Sequence, residues 1–476
     1  MTAAPRLRVE EVQFFERAVR LRMPFRFGAA TLREAPQAFV RVRLRTAGGG
    51  TATGTAADLL APKWFDKDPA LTNEQNFAQL RTALGIAAGL YRAAAPTSAF
   101  GLAAACYHEQ LRRCAEQTLN PLIASFGAAM LDRAILDALC RLEGVSVFDA
   151  VAANLPGLDT SLTPDLAGFD LGSFLRGLAA AATIHVRHTV GLLDPLTEAE
   201  IAATDRLDDG LPQSLEASIA AYGLTHFKLK LGGELEADLD RLCRIASLLD
   251  RQPRRYAVTL DGNEQFAGVA GLRSLLDAVD AAPRLARLRA ALLFVEQPLG
   301  RGFGLAVDLG EAGGRVPVAI DESDGTMGAF RVARDLGYRG VSSKACKGFY
   351  KAILNRARAA AWNDAAGART FFVSAEDLTT QPGIALQQDT ALAALIGCTH
   401  VERNGHHYVD GMHGAPETEQ RAFHEAHPDL YRASGGRVRL RIADGRITLG
   451  SLRCPGLGAR LLPGFAAMRA CSYDGA

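Results

Sequence analysis

From about residue 183 onward the chain alternates short β-branched or aromatic runs with amphipathic helical stretches. This regular alternation restricts the fold more than any other feature. Strand-like runs occur at 183–191, 226–231, 255–261, 291–298, 316–322, 340–345, 369–376 and 399–405. Between them, LEADLDRLCRIASLLD sets Leu235, Leu239, Leu242, Ile245 and Leu249 on one face by three- and four-residue steps. KAILNRARAAAW and GIALQQDTALAALIG read the same way. Strands alternating with helices at intervals of about 25–35 residues predict an α/β barrel of the (β/α)8 type rather than an open sheet.

The first ~110 residues read differently, as a small antiparallel sheet with Gly-rich turns followed by helices, an α+β unit ahead of the barrel. Residues 155–182 read as an inserted loop and helix before the first barrel strand. The tail RVRLRIADGRITLGSL reads as a hairpin with Asp444-Gly445 at its turn, packing back on the N-terminal unit.

Charge excludes some functions. With 53 Lys+Arg against 52 Asp+Glu, the formal net charge of +1 provides no broad basic face for nucleic acid or an anionic membrane. No run of about 18 apolar residues suggests a membrane span, and the charged start does not read as a secretory signal. Eight scattered cysteines without a CxxC argue against a zinc cluster or disulfide framework, so a reducing cytoplasm is the simplest setting. Lysine is scarce: seven against 46 arginines, and five of the seven sit in FKLKLGG and SSKACKGFYK. Arg stays protonated in proteins whereas Lys can act as a base, so lysine here points to chemistry.

A parallel barrel gathers its reactive groups at the C-terminal strand ends. Those ends hold Lys228 and Lys230 on strand 2, Asp261 on strand 3, Glu296 on strand 4, and Asp321 and Glu322 on strand 5. Lys344 ends strand 6, Ser374 and Glu376 strand 7, and Glu402 and Asn404 strand 8. Three carboxylates converging from adjacent strands need a counter-charge. Oxygen-only ligands favour a hard divalent ion, Mg2+ first. Lys228 and Lys230, two apart on a strand, share a face. Ammoniums and a metal in one cavity should depress each other's pKa and make a neutral lysine accessible. A metal on a substrate carboxylate would stabilise the enediolate left when a base takes the α-proton.

In FKLK, LDGN, VEQP, IDES and SSKACK, in this order and spacing, the chain resembles the enolase superfamily, in particular its muconate-lactonising-like branch of the mandelate racemase/muconate lactonising enzymes. The resemblance implies a (β/α)7β TIM-type barrel with an α+β capping domain. The domains would be residues 1–140 (cap), 141–415 (barrel, with the insertion near 155–182) and 416–476 (a segment returning to the cap). It also implies Asp261, Glu296 and Asp321 as Mg2+ ligands, Lys230 and Lys344 as acid/base groups on opposite faces of the substrate, and Lys228 as an auxiliary cation. Cap segments 23–32 and 59–67 would set specificity. Further candidate substrate contacts are Asn263, Glu322, Ser374, Glu376, Glu402, Asn404 and His406. Where the branch's dipeptide epimerases carry Asp-x-Asp on strand 8, this chain has Glu402-Arg403-Asn404.

The expected activity is Mg2+-dependent proton abstraction α to the carboxylate of a small molecule, as a racemase or epimerase. β-Elimination by a sugar-acid dehydratase, cycloisomerisation, and a non-catalytic metal-stabilised binding protein remain open alternatives, as does a homo-oligomer. Lys347 and Lys351 are expected to start the next helix and face solvent. His185 and His188, three apart on a strand, are expected to diverge. Trp64 and Phe65 serve equally well as cap wall or cap core.

Overall fold

The computed structural model describes residues 4–473. In the cap, β1 (Leu7–Phe27) and β2 (Ala30–Thr46) form a long antiparallel hairpin. It reverses at Gly28-Ala29, where Gly28 has φ +51°. β3 (Thr51–Leu59) pairs with β2. Helices α1 (Asn73–Ala93), α2 (Ala99–Glu116) and α3 (Pro121–Leu142) follow, starting at the side-chain caps Thr72, Ser98 and Asn120. β3 lies so close to α3 that a Cβ on Gly54 would sit 2.2 Å from the carbonyl oxygen of Ala134, so only glycine fits there.

The barrel runs β4 (Thr183–Val190), β5 (His226–Lys230), β6 (Ala257–Asp261), β7 (Leu292–Glu296), β8 (Val318–Ile320), β9 (Gly340–Ser343), β10 (Phe372–Ala375) and β11 (His400–Arg403). Neighbours are parallel, and β11 pairs with β4 to close the ring. All eight strands coincide with the runs read from the sequence. Two apolar clusters form the interior, one of the barrel and one of the cap. α3 feeds both, through Leu136 and Cys140 on one side and Met130 and Ile135 on the other. The cap is thereby seated on the barrel by shared burial, at about 25 cal/mol per Å2 of apolar surface removed from water.

The insertion holds a helix at Leu171–Arg176, and Arg358 reaches from the helix Phe349–Ala366 to chelate Asp165 at 2.8 and 2.7 Å. The C-terminal segment departs from expectation. The Asp444-Gly445 turn forms, but its flanking strands do not pair as a hairpin. β13 (Arg437–Leu440) pairs with β12 (Tyr431–Ser434), while β14 (Arg446–Thr448) adds antiparallel to β4 of the barrel. The strand that returns to the cap is β15 (Arg469–Cys471), which pairs with β1 at Phe14–Glu16. All eight cysteines are free thiols. Among the described residues no helix is long and apolar enough to cross a membrane.

Candidate active site

Strand register places the chemistry. Lys230 lies opposite Asp261, and Asp261 opposite Glu296, so three strands deliver an ammonium and two carboxylates to one level of the barrel rim. Asp321 follows β8 and Lys344 follows β9, extending the same arc.

Lys228 occupies the middle. Its Nζ stands 2.9 Å from Asp261, 2.8 Å from Glu296, 2.8 Å from Glu376 and 2.9 Å from Glu402. Lys230 Nζ donates to Asp261 Oδ2 at 2.6 Å and Lys344 Nζ to Asp321 Oδ2 at 2.6 Å. The two putting-out points of positive charge therefore sit at opposite ends of the carboxylate arc. Ser342 and Lys347 complete Asp321, with Oγ and Nζ at 2.8 and 3.0 Å from its Oδ1.

In the electrostatics of the protein groups alone, the carboxylates dominate Lys228 and Lys344. Burial disfavours the charge of Lys228, but Asp261, Glu296, Glu376 and Glu402 outweigh it and hold the ammonium well above its ordinary pKa. Burial and Asp321 act in the same opposed way on Lys344, again with a net rise. Glu296 goes the other way for a carboxylate. Burial first and Glu376 second push its carboxyl well above the usual range, against Lys228. Neither oxygen of Glu296 accepts a hydrogen bond of good geometry, and its one ion-pair partner among the described residues is Lys228.

Asp261, Glu296 and Asp321 fit a hard divalent cation by donor chemistry: oxygen ligands from three successive strands, with Glu296 Oε1 free of any partner among the described residues. As they stand, no three His, Cys, Asp or Glu side chains among the described residues are gathered to ligate an ion. The Lys228 ammonium stands between Asp261 and Glu296.

A cavity of about 30 Å3 opens beside Lys228, Lys230 and Lys344. Its other wall is apolar and comes from the cap: Phe25, Phe27, Leu32, Ala61 and Trp64, with Leu378 from the barrel. Both expected cap segments contribute, although 23–32 is the tip of the β1–β2 hairpin rather than a loop. Trp64 stacks over Lys344 Nζ at 4.9 Å, and Phe25 stands 6.0 Å from Lys230 Nζ. Phe65 turns inward on Phe126, so the Trp64–Phe65 pair divides into wall and core. The second cap segment is clamped. Arg301 donates to the Trp64 and Phe65 carbonyls at 2.8 and 2.7 Å and pairs with Glu264, while Lys67 bridges Glu264 and Glu322 at 2.6 and 3.1 Å.

Of the expected substrate contacts, Asn263, Glu402 and Asn404 line this cavity. Four others are engaged elsewhere. Glu322 is held by Lys67. Glu376 lies between Lys228 and Arg187 as a buried pillar, and Ser374 Oγ donates to it at 2.6 Å. His406 is turned behind the wall, its Nε2 3.1 Å from His188 Nδ1 and its ring edge-on to Tyr222. His185 points instead at His226, so the two strand histidines diverge.

Lys347 and Lys351 do not face solvent. Both are buried, Lys347 on Asp321 and Asp324 and Lys351 on Asp324 at 3.2 Å. The chain leaves β9 through a tight turn at Ala345–Lys347 and Gly348, φ +128°, which aims both amines inward. Sequence reasoning also passed over Arg187, Thr189 (Oγ1 donating to Glu402 at 2.6 Å) and Asp377 (accepting from the Asn404 amide at 2.8 Å). Lysine scarcity was the available signal for Lys67, Lys347 and Lys351.

A family model described as enolase C-terminal domain-like matches residues 210–463, more than half of the chain. Among solved structures, the muconate lactonizing enzyme from Pseudomonas fluorescens complexed with muconolactone is 18% identical with TM-score 0.57, covering 98% of this chain and 100% of that one. The dipeptide epimerase from Enterococcus faecalis V583, complexed with Mg and L-Leu-L-Tyr, is 14% identical with TM-score 0.58, covering 95% and 99%. The N-succinyl Arg/Lys racemase from Bacillus cereus ATCC 14579 is 16% identical with TM-score 0.58, covering 95% of each chain. The search of curated proteins yields no match.

Proposed function

The chain belongs to the enolase superfamily, in its mandelate racemase/muconate lactonising family, and from that premise we propose that it moves a proton at the carbon α to a small-molecule carboxylate, as a racemase or epimerase. The observation that carries this reading is the placing of two lysines at opposite ends of one carboxylate arc, Lys230 on Asp261 and Lys344 on Asp321. A proton taken by one and returned by the other inverts the carbon between them.

Asp261, Glu296 and Asp321 are the residues to hold Mg2+, which when bound supplies positive charge to a substrate carboxylate. Lys228 offers a further cation where negative charge develops. Trp64 and the Phe25–Phe27 wall exclude water from the lysines and orient the α-substituent. That wall favours an apolar or aromatic substituent over a polyhydroxylated sugar chain, which would leave hydroxyls without partners. Asn263, Asp377, Thr379, Glu402 and Asn404 are the further polar residues there to read the rest of the substrate.

The test is incubation with Mg2+ in D2O, against pooled N-acyl amino acids, dipeptides, hydroxy acids and sugar acids, read by mass spectrometry and chiral separation. The expected result is gain of one deuteron at Cα with loss of optical purity. Loss of water to a keto acid would replace racemisation by elimination. No exchange in any compound, with heat stability still raised by Mg2+, would favour a non-catalytic binding protein.

A further inference from the structure

A second cavity, of about 40 Å3, lies between α2, α3 and the start of the helix Phe349–Ala366, and it shares no lining residue with the cavity under Trp64. Its walls are mainly apolar, with the rings of Tyr91 and Tyr107 among them. One polar group in it is under-used. The Asp132 carboxylate accepts only from the Tyr91 hydroxyl, at 2.6 Å, and has no ion pair among the described residues. Gln110 Oε1 and the Tyr350 hydroxyl also lack hydrogen-bond partners among the described residues, but they are sealed from the cavity.

Charge on the opposite wall does not serve Asp132. Lys347 is committed to Asp321 and Asp324, and Lys351 to Asp324. Arg133, next in sequence, turns away to Asp58 at 2.7 Å. What is left over in this cavity is one negative charge between aromatic rings. Burial accordingly pushes the Asp132 carboxyl up to about 7, against the Tyr91 hydroxyl and Arg133.

We propose that this cavity is a second binding site, for a small organic cation, a primary alkylammonium of two or three carbons. Asp132 is its counter-ion. Tyr91 and Tyr107 flank it with their rings. The size follows from the space: at roughly 10–15 Å3 per water-sized centre, 40 Å3 admits a chain of about three to four heavy atoms. Lys347 both lines this cavity and bonds Asp321, so an occupant sits one side chain from the reaction centre.

The probes are ethylammonium chloride, ethanol and sodium acetate, titrated calorimetrically into the intact protein at pH about 8, where the carboxylate is ionised. Ethylammonium is expected to bind at millimolar concentration and to raise the melting temperature, with ethanol and acetate inert. Asp132→Asn keeps the Tyr91 bond and should weaken ethylammonium by about tenfold or more. The cavity-filling Ala128→Leu, which leaves Asp132 in place, should weaken it as well. No binding to the native protein, an equal response to ethanol, or undiminished ethylammonium binding in Asp132→Asn each overturns the proposal. The last result would locate the cation among the barrel-rim carboxylates instead.

Discussion

Lys230 and Lys344 are near-equivalent in chemistry and opposite in place, which gives the two-base reading a strict test. Lys230→Met and Lys344→Met should each lower racemisation by about 100- to 10,000-fold, with circular dichroism unchanged. Each variant should still exchange the α-proton of one enantiomer. Chiral chromatography after incubation in D2O reads both outcomes, and racemisation retained in either variant removes the assignment. Lys228 differs because it is shared by four carboxylates. Lys228→Met leaves them without their common cation and should cost about 3–5 kcal/mol of stability. Urea denaturation with and without Mg2+ should show the metal recovering more stability in the variant than in the native chain. Calorimetry should show Asp261→Asn binding Mg2+ more weakly.

Among the elements, the cap segment after β3 is the one held most deliberately. Arg301 grips the carbonyls of Trp64 and Phe65, and Lys67 crosses to Glu322. Arg301→Ala should loosen that segment without touching the lysines of the rim. Amide hydrogen exchange around Trp64–Lys67 should quicken and KM should rise while kcat changes little.

The same scale explains what was legible in the sequence. The eight barrel strands were, because β-branched runs at even spacing have few other uses. The rim carboxylates and Lys228, Lys230 and Lys344 were, because a parallel barrel puts strand ends at its mouth. The partners of β13 and β14 were not. Asp444-Gly445 dictates a reversal of direction but not what each arm meets afterwards. Lys347 and Lys351 were misplaced because a helical period was carried back through Ala345–Lys347, a tighter turn that rotates both amines toward Asp321 and Asp324. Glu376 read as a substrate contact because its partner Arg187 comes from a strand distant in sequence, across the interior of the barrel.

Taken whole, the molecule buries histidine in its neutral form. Burial holds His188 down at about 3, and His226 and His427 at about 4, and it lowers His400, His406 and His407 well below their ordinary value. In the unfolded chain these rings take a proton below pH about 6.5. The unfolded state therefore binds more protons in that range, and the histidines' contribution is full above pH about 6.5 and is lost as pH falls toward about 4. Melting temperature should drop steeply across that window. His188→Gln should flatten the drop, and an unchanged slope would show that the carboxylates alone govern acid unfolding.

The pairing of β15 with β1 has a mechanical consequence. Cys471 lies opposite Phe14 and Arg469 opposite Glu16, so the last strand runs back toward the side on which the first begins. Tension applied between the two ends of the chain loads this ladder as a zipper, one rung after another, rather than in shear. Its three rungs, with Tyr473 stacked on Phe14 at 4.5 Å, should peel first and at low force. The barrel ring, closed on itself through β4 and β11, carries none of that load until the tail is free.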